Sequence, residues 1–194
     1  MLKSDDLSRL KTGLELIENQ EDKQCTLNAF FKFKPTTPFS RNLNNFIEQM
    51  VKNIELCEYA KFVYVEHDDF NEDDLKGTFL RHYKRFKDTG EIHVWTGASD
   101  KTIFGDPTIN HKFRAWNDYI HLTNNLGYDA IGESIVCDIQ KEQLPDNFIF
   151  ERELLHIEVA GQIHYHALNH AFVEDQRQFT IDYLLNPLKA LRDA

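Results

Sequence analysis

A chain of 194 residues, 41% apolar and 28% charged, is long enough to bury one core and too rich in apolar side chains for disorder. Its formal charge of -10, from 22 basic and 32 acidic residues, argues against nucleic acid or an anionic membrane surface as partner. Three widely spaced cysteines, Cys25, Cys57 and Cys137, form no Cys-x-x-Cys pair, which excludes a recognisable disulfide framework or thiolate zinc site.

The sequence has no glycosylation sequon, no apolar leader and no run of bilayer length. The compartment expected is therefore reducing and cytoplasmic, and the protein soluble. In chain order, Leu7, Leu10, Leu14 and Ile17 predict a first helix over 5–20. Residues 28–40 read as a loop with Pro35 and Pro38, held down by Phe30, Phe31, Phe33 and Phe39. A helix from Arg41 to about Tyr59 follows. Lys61 to Glu66 is β-prone and reads equally as a short strand or as the end of that helix.

The acidic run Glu66 to Asp74 lacks the ligand spacing and glycine of a calcium loop, so Asp69 or Asn71 is read as the cap of a helix reaching about Lys87. Its basic stretch, Arg81 to Lys87, interleaves with Tyr83 and Phe86 and reads as a solvated helix side before a nucleic-acid surface. Ile92 to Trp95 predicts a small strand inside the irregular 91–105 segment. Asp106-Pro107 starts a helix that stops at Asn124-Asn125. Three more helices are expected at about 128–143, 147–172 and 175–185. The fold class is mainly α: a bundle-like single domain over 1–194, with short β segments near 61–66 and 91–96. Residues 1–105 form its N-terminal part and 106–194 a four-helix antiparallel unit.

Helical wheels at about 100° per residue place polar groups where apolar ones belong. In 128–143, Glu133 and Gln140 share the face of Ala130, Val136, Cys137 and Leu144, while Ser134, Asp138 and Lys141 point away. In 147–172, Glu151, Glu158, Gln162 and Asn169 run between two apolar flanks, with Tyr165 and His166 alongside. A buried carboxylate needs a cation, a metal or a hydrogen-bond network. On 107–125, His111, Arg114, Asp118 and His121 form one stripe. Closing the hairpin at 124–127 brings Asp118, His121 and Glu133 level, a ligand set suited to zinc, iron or manganese. A structural cluster bridged by Arg114 accounts for the same residues.

The spacing Asp118-x-x-His121-x11-Glu133 resembles the metal signature of the coenzyme Q biosynthesis protein 4 family, with Asn117 where that signature opens with histidine. The resemblance covers about 17 residues. It implies a mainly helical fold, a role in modifying the quinone head group, and Asp118, His121 and Glu133 as metal ligands, completed by His111, His166 or Glu158.

Two functions are expected from the residues. One is a metal-dependent enzyme with a small-molecule ligand among the C-terminal helices. There Asp118, His121 and Glu133 hold the ion, Glu158 is the general base, and Gln162, Tyr165 and Arg114 bind substrate. The other is a non-catalytic structural or protein-binding module whose buried polar residues form an internal network. A ferritin-type Glu153–His156 pair ranks below both, because it faces away from Glu158.

Overall fold

The computed structural model describes residues 36–67 and 69–192, together with Lys23. The helix expected over 5–20, the phenylalanines at 30, 31 and 33, and Cys25 lie outside the described residues.

Helix α1 (Arg41–Leu56) begins at Ser40, whose side chain accepts the Leu43 amide at 3.2 Å. Leu43, Ile47, Val51 and Ile54 form its buried stripe. It stops before Tyr59 because Glu58 turns left-handed, with φ 55°, which delivers the chain into β1 (Lys61–Val65). The ambiguous 61–66 segment is thus a strand. It pairs in parallel with β2 (Glu91–Trp95), in register from Lys61 opposite Glu91 to Val65 opposite Trp95. Parallel strands need a crossover. Here it is a 3-10 turn (Glu72–Asp74) and helix α2 (Leu75–Thr89). Asn71 caps the turn and Asp74 caps the helix, so Asp69 is free of the capping role considered for it. Gly90 ends α2 with φ 71°.

Helix α3 (Pro107–Asn124) starts at the Asp106 cap and ends at left-handed Asn125, as the sequence predicts. Helix α4 (Ala130–Gln143) starts at Asp129, which accepts the amides of Ile131 and Gly132. The turn before α4 folds back on its first residues so closely that a Cβ on Gly132 would lie 1.8 Å from the Gly127 carbonyl oxygen; only glycine fits.

The helix expected over 147–172 is a continuous run from 149 to 169 with a wide turn in its middle. Helix α5 (Ile149–His156) passes into a π turn (Ile157–Gly161) and then α6 (Gln162–Asn169). The extra residue shifts everything beyond it by about 100° around the axis. The single polar line read from the sequence is therefore split. Glu151 turns to α1 and accepts from Ser40 Oγ at 2.6 Å, whereas Asn169 reaches the Leu191 carbonyl at 3.0 Å. Helices α7 (Gln176–Leu185) and α8 (Pro187–Ala190) close the chain, capped by Asp175 and Asn186.

The structure is mainly helical, with the two short strands as its only described sheet. One core runs from Phe39 and α1 through Ile92, Val94, Trp116 and Ile120 to Leu154, Leu155 and Ile181. Among the described residues no helix is long and apolar enough to cross a membrane.

Candidate functional site

A cleft of about 730 Å³ opens at the carboxyl ends of both strands, the position where ligands collect in parallel sheets. Val65 and His67 follow β1 into its wall, and Trp95 and Ala98 follow β2. Helix α3 contributes Arg114, Asn117 and Asp118, the start of α4 contributes Glu133, and the π turn region contributes Glu158 and Gln162. Five sequence-predicted site residues, Arg114, Asp118, Glu133, Glu158 and Gln162, thus line one cavity. His121 sits behind the wall, fully buried. Tyr165 lies outside the lining and packs edge-on against Phe179, with ring centres 5.4 Å apart.

Glu158 is the most perturbed of these groups. It is 7% exposed, and its Oε2 has no hydrogen-bond partner within the protein. Burial pushes its carboxyl up to about 8, against the opposing pull of the Gln162 side chain and the Arg114 charge. It is therefore mostly protonated at neutral pH, a proton donor first and a base only after ionising. Arg114 is fixed in place: its Nη1 donates to the carbonyls of Trp95 (2.9 Å) and Gly97 (2.7 Å), and its guanidinium lies 5.0 Å from the Trp95 ring centre.

At the other end of the cleft, His121 Nε2 approaches Glu133 Oε1 at 3.3 Å while its Nδ1 bonds the Leu126 carbonyl at 3.1 Å. Burial pulls the imidazole down, but Glu133, Asp118 and the Leu126 carbonyl outweigh it, so it is raised overall. Of the three residues named to complete a metal site, two are engaged elsewhere, His111 on the Thr96 carbonyl at 2.9 Å and His166 beside Glu72 at 3.4 Å. Among the described residues no group of three or more His, Cys, Asp or Glu side chains comes together as a metal site. Zinc chemistry asks for at least three protein donors, and the pair seen here falls short of it.

Three further lining residues form a chain that the sequence did not show. His82 Nε2 lies 2.8 Å from Asp69 Oδ1, and His82 Nδ1 lies 2.9 Å from the Tyr128 hydroxyl. Arg85 holds the other oxygen of Asp69. Burial lowers His82, helped by Arg85 and Arg81 and opposed by Asp69, so the ring is neutral at pH 7. With its proton on Nε2, facing Asp69, Nδ1 accepts from the Tyr128 O–H. Burial first, then Asp118 and Glu133, raise that phenol well above its ordinary value. Nothing periodic marks this set: Asp69 reads as a cap and His82 as part of a basic run. The basic run itself is engaged within the fold, with Arg81 on Thr78 Oγ1, Lys84 on Asp88, Arg85 on Asp69 and Lys87 over the Tyr83 ring.

The fold and site define a mainly helical protein with an acidic, aromatic-lined cleft at the end of a two-stranded parallel ribbon. No family model, curated protein or solved structure matches the chain.

Proposed function

We propose that this protein binds a small organic molecule in the cleft and exchanges a proton with it through Glu158. The observation that carries this reading is the buried Glu158 Oε2 without a protein partner, set in the wall of an open cavity. A native fold rarely keeps such an atom unless something else satisfies it. The π turn is the local device: such turns cost backbone geometry and recur at functional positions. Gln162 and Arg114 stabilise the carboxylate once the proton has left, and the raised value suits transfer near neutral pH. Gln162 is itself oriented by Gln176, whose Nε2 donates to its Oε1 at 3.3 Å.

The test is carboxyl-detected NMR on protein with labelled glutamate. One glutamate should titrate near 8, vanish in Glu158→Gln, and shift when cleft-binding fragments are added. If every glutamate titrates below about 5.5 and no fragment perturbs the cleft, the reading is wrong.

A divalent ion at the Asp118–Glu133 end is a second reading, supported by the 3.3 Å approach of His121 to Glu133 and by the signature-like spacing. It requires a third donor to move in. Thermal unfolding with zinc, iron and manganese tests it: a midpoint raised by one of them and lost in Glu133→Gln supports it. Indifference to all three ends it.

A further inference from the structure

The lining of the cleft has a chemical bias that narrows the ligand, provided the small-molecule reading above holds. Its carboxylates outnumber its fixed cations, Lys101 and Arg114. Lys101 is exposed and lies 4.0 Å from Asp175, and Arg114 gives N–H groups to the backbone carbonyls of Trp95, Gly97 and Ala98. An anion entering the cavity would face Asp118 and Glu133. A cation meets the opposite field, focused by low-dielectric walls.

Charge alone does not define a site; the orphan atoms do. Two side-chain oxygens in this lining are buried and lack a hydrogen-bond partner, Glu158 Oε2 and Gln176 Oε1. Gln176 spends its N–H on Gln162, so its carbonyl oxygen is left as a pure acceptor. Glu158 becomes one on ionising. Two unsatisfied acceptors call for a group with several N–H donors, and a quaternary ammonium has none. The aromatic part of the lining, Phe70, Trp95, Phe113 and Phe172, is suited to an apolar body attached to that head group.

We propose that the cleft receives an organic cation bearing N–H donors, a primary amine or amidine on an apolar body, whose head group sits on Glu158 Oε2 and Gln176 Oε1. Seating the cation favours the carboxylate form of Glu158, so binding near neutral pH releases its proton to solvent, and Gln162 and Arg114 hold the resulting charge.

The experiment uses the full chain and five probes of one shape: benzylamine, benzamidine, benzyltrimethylammonium, benzyl alcohol and benzoate. Binding is followed by amide chemical shifts and calorimetry. Benzylamine and benzamidine should bind in the cleft at least tenfold tighter than the other three. Their heat should vary with the ionisation enthalpy of the buffer at pH 7, reporting the released proton. Glu158→Gln should weaken both by tenfold or more and abolish the buffer dependence. Gln176→Leu, at a half-buried position, gives a second variant should Glu158→Gln fold poorly, and it too should weaken both amines.

If benzyl alcohol, benzoate or the trimethylammonium probe binds the cleft as well as the amines, or if neither variant changes amine binding, the cation assignment fails while the small-molecule site survives. If no probe moves cleft signals and no glutamate titrates near 8, both fail together.

Discussion

The Asp69–His82–Tyr128 chain is the residue-scale feature with the clearest directional logic. Asp69 fixes the His82 proton on Nε2, and that leaves Nδ1 to accept from the Tyr128 hydroxyl. Removing the hydroxyl alone, in Tyr128→Phe, keeps the ring packed against Phe70, Phe79 and His121. The expected loss is about 1 kcal/mol, the net worth of one hydrogen bond plus a buried acceptor left bare. Chemical denaturation should show it as a lower midpoint with an unchanged m-value; no change would mean the hydroxyl bond is not made. The site was legible in the sequence only where a period existed. Glu133 and Glu158 stood out because each interrupts an apolar helical face, and Asp118 because it is level with Glu133 across a short hairpin. Asp69, His82 and Tyr128 had no such signal, because a loop, a helix and a hairpin turn bring them together and no repeat links the three. Tyr165 illustrates the converse: it shares a side with Gln162 on an ideal wheel, yet its ring packs on Phe179 of α7.

At the level of elements, local chemistry was the better guide. The Asp106-Pro107 start and the Asn125 stop are each written in one or two residues, and each sits where the sequence puts it. The π turn was not readable. It changes a five-residue hydrogen-bond pattern and leaves composition and mean period almost intact, so Glu151 and Glu158 look equivalent in sequence. Their environments show that they are not. Glu151 is 5% exposed and tied to the first turn of α1 through Ser40 and Asn42, a structural anchor 111 residues away in sequence from Ser40. Ser40 does two jobs at once, capping α1 through the Leu43 amide and satisfying Glu151. Ser40→Ala should therefore cost more than an ordinary cap, roughly 2–3 kcal/mol from the cap and the charged hydrogen bond combined. Ser40→Asp keeps a capping oxygen but sets a second carboxylate against Glu151, so it should fail to rescue at neutral pH. Equal stability of Ser40→Asp and the natural protein by thermal unfolding would remove Glu151 from this account.

For the whole molecule, two buried groups at opposite ends of the cleft make stability fall as pH rises. Glu158 has its folded value raised from 4.5 to about 8, and His121 is also raised above its ordinary 6.5. A raised group binds protons in the folded state that the unfolded chain has released, so its contribution is complete at low pH and is lost as pH climbs through the folded value. The lowered carboxyls act oppositely: Asp69, pushed up by partial desolvation but pulled further down by Arg85 and His82, adds stability above its ordinary value and loses it on acidification. Stability should thus decline from about pH 5 to about pH 8, with Glu158 the main cause. The full shift would correspond to roughly 5 kcal/mol, which water reaching a cleft-lining group reduces to about 2 kcal/mol. Glu158→Gln should accordingly raise the unfolding midpoint at pH 9 by roughly 4–8 °C, change it little at pH 5, and flatten the profile between. Glu133→Gln should behave in the reverse sense. It strips the charged partner from His121, so it should cost about 1 kcal/mol at pH 6, where the imidazole is charged, and less as the pH climbs through the raised value of that ring. The two profiles together separate the ends of the cleft. A Glu158→Gln protein that keeps the parent slope would place the proton elsewhere, and a Glu133→Gln loss independent of pH would mean the carboxylate serves packing and not the imidazolium.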